Sequence, residues 1–274
     1  MTIATWNING MQARLGFLHH WLRARQPDLV MLQELKQTGD RFPHAELDEI
    51  GYRAVVHGQK SWNGVAILTH AQRIGEARAV SRDLPGLEQH GARLVGAEIP
   101  VAGMGLLSCT SVYVPNGRTV THTEFAHKLA FLDGLVQYAR EALAGPAAVL
   151  IGGDFNLCPG PLDTWHEDAA EGSIFHTAAE RERFGALREL GLVDLFRHGN
   201  PGARQYSWWD YRAGSFHKNQ GLRIDFLLAG AALAERTAAV RIDRDYRKKK
   251  DGMIASDHAP VIADLAPVIA DLAG

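Results

Sequence analysis

The feature that most constrains the fold is an apolar run that ends in two glycines and a polar triplet. Residues 147–156 read Ala-Ala-Val-Leu-Ile-Gly-Gly-Asp-Phe-Asn. An unbroken apolar run is typical of a strand buried on both faces, and the glycines allow another group to approach the backbone closely. Because side chains alternate along an extended chain, Asp154 and Asn156 are expected to share a face, with Phe155 packed behind them. Such polar residues at the carboxyl end of a core strand lie where α/β sheets build active sites, although an acidic turn would be the better explanation if this stretch stood alone.

The composition predicts one large α/β domain. The chain has 274 residues, of which 46% are hydrophobic, and no Pro/Gly/Ser-rich linker divides it. With a formal net charge of −2, binding to nucleic acid requires a local basic face. The two cysteines, Cys109 and Cys158, argue for a reducing compartment and against a disulfide framework. Neither a signal peptide nor an apolar run long enough to cross a bilayer is found, so we expect a soluble cytoplasmic protein.

Hydrophobic periodicity predicts helices alternating with strands. Helices are predicted over residues 14–26, 123–144 and 178–190, and strands over 1–9, 28–33, 52–57, 65–69, 93–99, 106–114, 147–154, 206–211, 223–228 and 240–245. Residues 260–266 and 267–273 repeat the heptapeptide Pro-Val-Ile-Ala-Asp-Leu-Ala, and two copies are too few for a solenoid. We interpret the first copy as the last core strand of a domain spanning residues 1–266. The tail 267–274 is interpreted as an appended duplicate without function.

Polar side chains gather at the ends of the predicted strands. They are Asn7, Asn9, Glu34, Tyr113, Asp154, Asn156, Asp225, Asp257 and His258. Each has an ordinary explanation alone, since a single glutamate after a strand is usually solvated and a single histidine usually packs in the core or on the surface. Together, carboxylate and amide oxygens suit Mg²⁺ or Mn²⁺, whereas the zinc and phosphate-loop motifs are missing. Amide, imidazole and phenol groups are donors suited to phosphate oxygens. The residues therefore predict a metal-assisted phosphoester hydrolase.

Seven short motifs occur in the order seen in the exonuclease III family of apurinic/apyrimidinic (AP) endonucleases, which the sequence resembles from Thr2 to about Leu265. They are Trp6-Asn7-Ile8-Asn9-Gly10, Leu32-Gln33-Glu34-Leu35-Lys36, Tyr113-Val114-Pro115-Asn116, Gly153-Asp154-Phe155-Asn156, Ser207-Trp208-Trp209-Asp210-Tyr211-Arg212, Gly221-Leu222-Arg223-Ile224-Asp225 and Ser256-Asp257-His258-Ala259-Pro260. The fifth and sixth resemble the bacterial exonuclease III branch. The resemblance implies a four-layer, DNase I-like α/β sandwich in which two mixed β-sheets pack face to face between helices.

The resemblance also implies a role for each polar residue. Glu34 would be the main ligand of Mg²⁺, for which Mn²⁺ can substitute, and the other residues expected near the metal are Asn7, Asn9 and Asp257. The position of Asn9 is sometimes Asp in the family, which would remove one charge from the metal site here. In catalysis, Asp154 would activate water, and Asn156 would hold that water or a phosphate oxygen. His258 would donate to the phosphate, and Asp225 would orient His258. Tyr113 and Asn7 would complete the phosphate cage.

The same resemblance implies a DNA-binding surface. Trp208, Leu222 and Ile224 match apolar positions that accept a flipped-out abasic sugar, although one of the neighbours Trp208 and Trp209 is expected to pack in the core. The cations expected to contact phosphates are Lys36, Lys60, Arg118, Lys128, Arg212, Lys218 and the run 247–250, which includes Lys249. A solvated loop is an equally good explanation of that run.

The implied activity is that of a monomeric, nucleoid-associated DNA-repair phosphodiesterase. It would cleave duplex DNA 5′ to abasic sites and act at 3′ ends as a 3′→5′ exonuclease. Two alternatives remain. One is a related hydrolase of the same fold acting on RNA ends, inositol phosphates or sphingomyelin. The other is a DNA-binding scaffold that has lost catalysis, in which the site would normally be broken.

Overall fold

Two six-stranded sheets form the centre of the molecule in the computed structural model, which describes residues 1–266. The first sheet has the order β11-β12-β1-β2-β4-β3 and the second β5-β6-β7-β8-β10-β9. The strands are β1 (Thr2–Asn7), β2 (Leu29–Gln33), β3 (Tyr52–His57), β4 (Val65–His70), β5 (Arg78–Arg82), β6 (Leu94–Val101), β7 (Gly105–Tyr113), β8 (Ala148–Asp154), β9 (Val193–Asp194), β10 (Asp225–Ala229), β11 (Thr237–Ile242) and β12 (Val261–Leu265). Both sheets are mixed, since β1 pairs with β2 and β7 with β8 in parallel, while the other pairings are antiparallel.

Helices cover the outer faces of the sheets, except for two short ones that contribute Phe196 and Leu233 to the core between the sheets. They are α1 (Met11–Arg25), α2 (His44–Asp48), α3 (Thr123–Ala144), α4 (Ala178–Glu189), α5 (Leu195–Gly199) and α6 (Ala231–Ala234), and short 3-10 turns lie at Gly39–Arg41, Glu88–His90, Pro161–Asp163, Glu167–Ala170 and Arg244–Arg247. Helix α1 packs Phe17 and Trp21 against the first sheet, and α3 and α4 pack Leu132 and Phe184 against the second. The predicted four-layer sandwich is confirmed. In the part of the chain that the structure describes, every helix is too short or too polar to cross a membrane.

Strand β8 is the glycine-ended run and lies inside the second sheet. Its side chains alternate, with Leu150 in the core between the two sheets and Ile151 facing the outer helices. A Cβ atom on Gly153 would lie 1.9 Å from the carbonyl oxygen of Val112 on β7, and one on Gly152 would lie 2.5 Å from Cε of Met31 on β2. The two glycines therefore permit close packing in two directions, Gly153 within its sheet and Gly152 between the sheets.

Some predicted elements differ from those observed. Residues 206–211 do not form a strand, and Trp208 makes isolated bridges to Leu222 and His258 instead. Helix α1 begins three residues before the prediction and ends where Gln26 adopts a left-handed conformation. Strand β10 begins at Asp225 and not at residue 223. The tail 267–274 lies outside the described residues.

Candidate active site

The predicted polar residues come from strand ends of both sheets that meet at one edge of the sandwich. Asn7 ends β1, and Glu34 directly follows the neighbouring parallel strand β2. Tyr113 ends β7, and Asp154 lies opposite it at the end of the parallel strand β8. The antiparallel strand β10 brings its first residue, Asp225, level with Asp154. The segment before β12 supplies Asp257 and His258, and the loops after β1 and β8 supply Asn9 and Asn156.

Asn7 links the carboxylates of Glu34 and Asp154. Its Nδ2 donates to Oε1 of Glu34 at 2.8 Å and to Oδ2 of Asp154 at 2.9 Å, while its Oδ1 accepts a hydrogen bond from the backbone N–H of Asn9. Tyr113 also hydrogen-bonds to Glu34, and its pKa lies well above the usual value because the phenol is buried beside Glu34 and Asp154. Since Asn7 presents its amide nitrogen to the two acids, this geometry does not support the metal-ligand role predicted for Asn7. Its side chain instead orients both carboxylates.

His258 lies between the carboxylates of Asp225 and Asp154. Its Nδ1 is 2.9 Å from Oδ2 and 3.1 Å from Oδ1 of Asp225, and its Nε2 is 3.8 Å from Oδ2 of Asp154. Burial alone would lower the pKa of His258, but the Asp225 carboxylate raises that pKa to about 10. Burial raises the pKa of Asp154 to about 7, against the opposing effect of His258. His258 is therefore a cationic donor at neutral pH, and Asp154 can accept a proton.

The geometry fits a hard divalent cation held by oxygen atoms. Among residues 1–266, Glu34, Asp154 and His258 form a group whose potential ligand atoms all lie within 4.8 Å of one another. Because a protonated imidazole cannot bind a metal, the ligands available there are carboxylate and amide oxygens, which Mg²⁺ and Mn²⁺ prefer. Burial opposes ionisation of Asp257, but His258 and the hydrogen bonds from Trp208 and Asn9 lower its pKa overall, so it is ionised.

Lys36 lies beside the residues assigned to the metal. Its Nζ is 2.8 Å from Oε2 of Glu34, and it donates a short hydrogen bond to Oδ1 of Asn9. The Nδ2 of the same Asn9 side chain donates to Oδ1 of Asp257 at 2.8 Å. Lys36 was predicted as a contact to DNA, yet the structure also makes it a partner of Glu34. The spacing of Glu34 and Lys36, two residues apart after a strand, was a signal for this in the sequence.

Two residues that were not predicted from the sequence form hydrogen bonds with the backbone of the site residues. The Oγ of Ser256 donates to the carbonyl of Asn7 at 2.7 Å and accepts from the backbone N–H of His258 at 3.1 Å. The guanidinium of Arg93 lies 5.0 Å from the centre of the Tyr113 ring and donates to the carbonyl of Tyr113. Ser256 belongs to a motif that was recognised, whereas Arg93 carries no local signal.

Asn156 is close to Asp154, but it contacts the Asp154 carboxylate through its backbone N–H and does not share a strand face with it as predicted. The strand ends at Asp154, and Asn156 has a φ of 50°, so strand alternation does not extend to it. Its backbone N–H donates to Oδ1 of Asp154 at 2.9 Å, and its Nδ2 donates to the carbonyl of Val114 at 2.9 Å. The predicted role of Asn156 toward water or phosphate stays a prediction.

Beside the acidic cluster is a small apolar wall. Leu222, Ile224 and Cys158 are buried there, and the half-buried Trp208 packs on them. The Nε1 of Trp208 donates to Oδ2 of Asp257 at 3.0 Å, which joins this wall to the acidic cluster. Trp209 is fully buried in the core, as expected for one of the two neighbours.

The predicted phosphate contacts divide into exposed and buried residues. Lys128 is fully buried and forms an ion pair with Glu180, so the prediction that it contacts DNA is wrong. Arg247 is also buried and donates to the carbonyls of Asp257 and Trp209. Arg212 is exposed but pairs with Asp210 through three side-chain hydrogen bonds. The predicted contacts that are exposed, and whose role toward DNA stays a prediction, are Lys60, Arg118, Arg212, Lys218, Lys248 and Lys249.

Residues 4–258 match the model of the Endonuclease/Exonuclease/phosphatase family. The chain belongs to this metal-dependent family of hydrolases. It is 35% identical over 272 residues to exodeoxyribonuclease III from Haemophilus influenzae, with 96% of this chain and 99% of the relative covered. The predicted family is confirmed.

Similar solved structures agree with this assignment. One is the 3′ phosphatase NExo from Neisseria bound to a product DNA hairpin, which has 33% identity, a TM-score of 0.89 and coverage of 97% of this chain and 100% of that chain. Another is an AP endonuclease from Archaeoglobus fulgidus, with 31% identity, a TM-score of 0.88 and coverage of 97% and 99%.

Proposed function

We propose that this protein is a Mg²⁺-dependent DNA-repair phosphodiesterase that cleaves duplex DNA 5′ to abasic sites and also acts at 3′ ends. The observation that carries the proposal is the placement of Asp154 and His258. Both groups are buried, and Oδ2 of Asp154 lies 3.8 Å from Nε2 of His258. Burial raises the pKa of Asp154 to about 7, so this carboxylate can accept a proton near neutral pH, whereas Asp225 raises the pKa of His258 to about 10 and keeps the imidazole charged. The pair provides a base and a cationic donor in one site.

The roles follow from the donors and acceptors of the site. Asp154 takes a proton from the attacking water, and Asn7 holds its carboxylate in place through the bond to Oδ2. His258 donates through Nε2 to a non-bridging phosphate oxygen, while Asp225 keeps Nδ1 bonded and the ring charged. Glu34, with Asn9 and Asp257, would hold the divalent cation, whose chemistry there is to neutralise negative charge on the phosphate and on the departing 3′ oxygen.

The choice of substrate rests on the apolar wall and on the relatives. Trp208, Leu222 and Ile224 offer an apolar surface beside Asp257, which suits a sugar that carries no base. The relatives include proteins named for exodeoxyribonuclease, 3′ phosphatase and AP endonuclease activity. An intact set of donors and acids argues against a scaffold without catalysis.

Three labelled duplexes test this proposal. The first contains one abasic analogue, the second has a recessed 3′ hydroxyl end, and the third has a 3′ phosphate. Each is incubated at fixed salt with Mg²⁺ or with EDTA, because affinity for phosphates changes steeply with ionic strength. We expect incision 5′ to the abasic analogue in Mg²⁺ and none in EDTA, and the other two duplexes measure the activity at 3′ ends. If no duplex is processed with Mg²⁺ or Mn²⁺, the proposal is rejected.

A further inference from the structure

A buried ion pair behind the active site joins the two long helices of the second sheet. Lys128 on α3 and Glu180 on α4 are both fully excluded from solvent and form a direct ion pair. Removing two charges from water is costly, and an apolar pair of similar volume often gives equal or greater stability. The pair therefore calls for an explanation other than stability.

The Lys128 ammonium also donates hydrogen bonds to backbone carbonyls in two loops at the active site. Its Nζ donates to the carbonyl of Asn156 at 2.6 Å and to the carbonyl of Asn116 at 3.3 Å. An ammonium has three N–H donors, so Glu180 and these two carbonyls satisfy all of them. The ammonium also lies 4.7 Å from the centre of the Phe175 ring. The position of the Lys128 ammonium is thus fixed by Glu180, by the two carbonyls and by the Phe175 ring.

The carbonyl that Lys128 binds belongs to a residue with a constrained backbone. Asn156 is left-handed, with a φ of 50°, and this conformation is uncommon outside glycine. Its side-chain amide is tethered to Val114, two residues before Asn116. The ammonium therefore connects the loop after β8 with the loop after β7, and the Asn156 amide lies between them.

We propose that Lys128 is a positioning residue that sets the place of the Asn156 amide, and that Glu180 holds the ammonium for this purpose. This inference rests on the proposed function and on the role predicted for Asn156, which would hold the attacking water or a phosphate oxygen beside Asp154. Glu180 is itself fixed, because it accepts a hydrogen bond from the backbone N–H of Thr177 in the capping box of α4 and another from the backbone N–H of Phe175.

The test variant is the double substitution Lys128→Met/Glu180→Gln, which removes both charges and leaves no unpaired buried ion. Glutamine preserves the capping box of α4. The matched control is Asp133→Asn/Arg183→Met, since Arg183 and Asp133 form another ion pair between the same two helices and neither touches the active site. Lys128→Leu/Glu180→Gln, which also leaves no unpaired buried ion, is the second variant if the first double substitution does not fold.

Steady-state cleavage of the abasic duplex gives the first readout. We expect kcat of the Lys128→Met/Glu180→Gln variant to fall roughly 10- to 100-fold, because small displacements of a reacting group have effects of this size. KM should change less than about twofold, as expected for an interaction made in the transition state. In an Asn156→Ala background, which keeps the backbone carbonyl, the same substitutions should change kcat by less than about twofold.

Equal losses of kcat in the two backgrounds would overturn the inference, because a purely structural role does not depend on the Asn156 amide. The second readout needs no activity. The ¹⁵N side-chain amide resonance of Asn156, assigned by its loss in Asn156→Ala, should shift in the Lys128→Met/Glu180→Gln variant and not in the control. An unchanged resonance also overturns the inference. Absence of cleavage by the wild type with a shifted resonance would reject the proposed function alone.

Discussion

Two aspartates on either side of one histidine differ in their contacts to the imidazole ring. Asp225 is hydrogen-bonded through both carboxylate oxygens to Nδ1 of His258, and this contact keeps the ring charged. Asp154 is 3.8 Å from the other ring nitrogen and is held by the amide of Asn7, while burial raises its pKa to about 7. At the scale of single residues, distance to the imidazole separates Asp225, which keeps the ring charged, from Asp154, which we propose as the group that activates water.

Asp154→Asn should abolish cleavage and preserve binding of abasic DNA. The substitution keeps the shape of the side chain but removes the proton acceptor, for which a loss of ~10²–10⁴-fold in single-turnover rate is expected. Binding should be equal or tighter, because a negative charge near the phosphates is removed. Single-turnover incision and a binding titration at one salt concentration measure both quantities.

His258→Asn provides the contrast to Asp154→Asn. It removes a cationic donor to the phosphate, so cleavage should fall by roughly 10²–10³-fold and binding should weaken as well. If Asp154→Asn cuts at a rate near that of the wild type, the general base is a different residue.

Glu34→Ala should abolish the response to a divalent metal without unfolding the protein. Glu34 directly follows the buried strand β2, and its carboxylate contacts Asn7, Tyr113 and Lys36. We expect at least about a 100-fold loss of incision at a fixed Mg²⁺ concentration, with an unchanged melting temperature. Glu189→Ala, an exposed acid on α4, is the control and should behave like the wild type. Full incision by Glu34→Ala in chelator would refute the metal assignment.

At the scale of elements, β8 organises the site because it pairs on both sides. Its parallel neighbour β7 ends in Tyr113, and its antiparallel neighbour β10 begins with Asp225, so the three residues Tyr113, Asp154 and Asp225 lie in one row across the sheet. The position of this row depends on the closeness of β7 and β8, which Gly153 permits.

Gly153→Ala should destabilise the fold more than Gly152→Ala. A Cβ at Gly153 collides with the backbone oxygen of Val112, which cannot move without breaking the pairing of β7 and β8. A Cβ at Gly152 meets the flexible end of Met31, so an overpacking cost of about 1–3 kcal/mol is expected there. For Gly153→Ala we expect about 4 kcal/mol or more. Urea unfolding measures both values, and equal losses of stability would contradict the packing difference between the two sites.

At the scale of the whole molecule, the site exists only where the two sheets meet. Glu34 and Asn7 come from the first sheet and Asp154 from the second, and the amide of Asn7 bridges the two acids across the interface. Leu150, Met31 and Ile3 pack in the core between the sheets. The packing of this core therefore determines the separation of the carboxylates.

Deletion of the tail 267–274 should leave both the melting temperature and the activity nearly unchanged. Residues 260–266 already supply the final strand β12, which pairs with β1 and β11. The tail repeats the same heptapeptide and lies outside the described residues. Loss of more than ~1 kcal/mol of unfolding free energy, the size of an ordinary destabilising substitution, would show that the second copy packs on the domain.

The sequence by itself determined the class of fold and the polar residues at the strand ends. Apolar runs, helical periodicity and turn residues are local signals, and they place Asn7, Glu34, Tyr113 and Asp154 at the ends of β1, β2, β7 and β8 or directly after them. Because parallel neighbours in a sheet end at the same edge, chemistry at these positions could be inferred without coordinates. Resemblance to the exonuclease III family supplied the roles.

Only the tertiary structure decided which charges are paired and buried. Lys128 was predicted from the sequence to be an exposed contact to DNA. In the structure it is buried and paired with Glu180, which is 52 positions away on another helix. Lys36 was predicted as a contact to DNA, and its hydrogen bond to Asn9, 27 positions away after the neighbouring strand β1, likewise depends on the fold. Whether a long charged side chain is paired and buried depends on distant partners and on exclusion of water, and local periodicity reports neither.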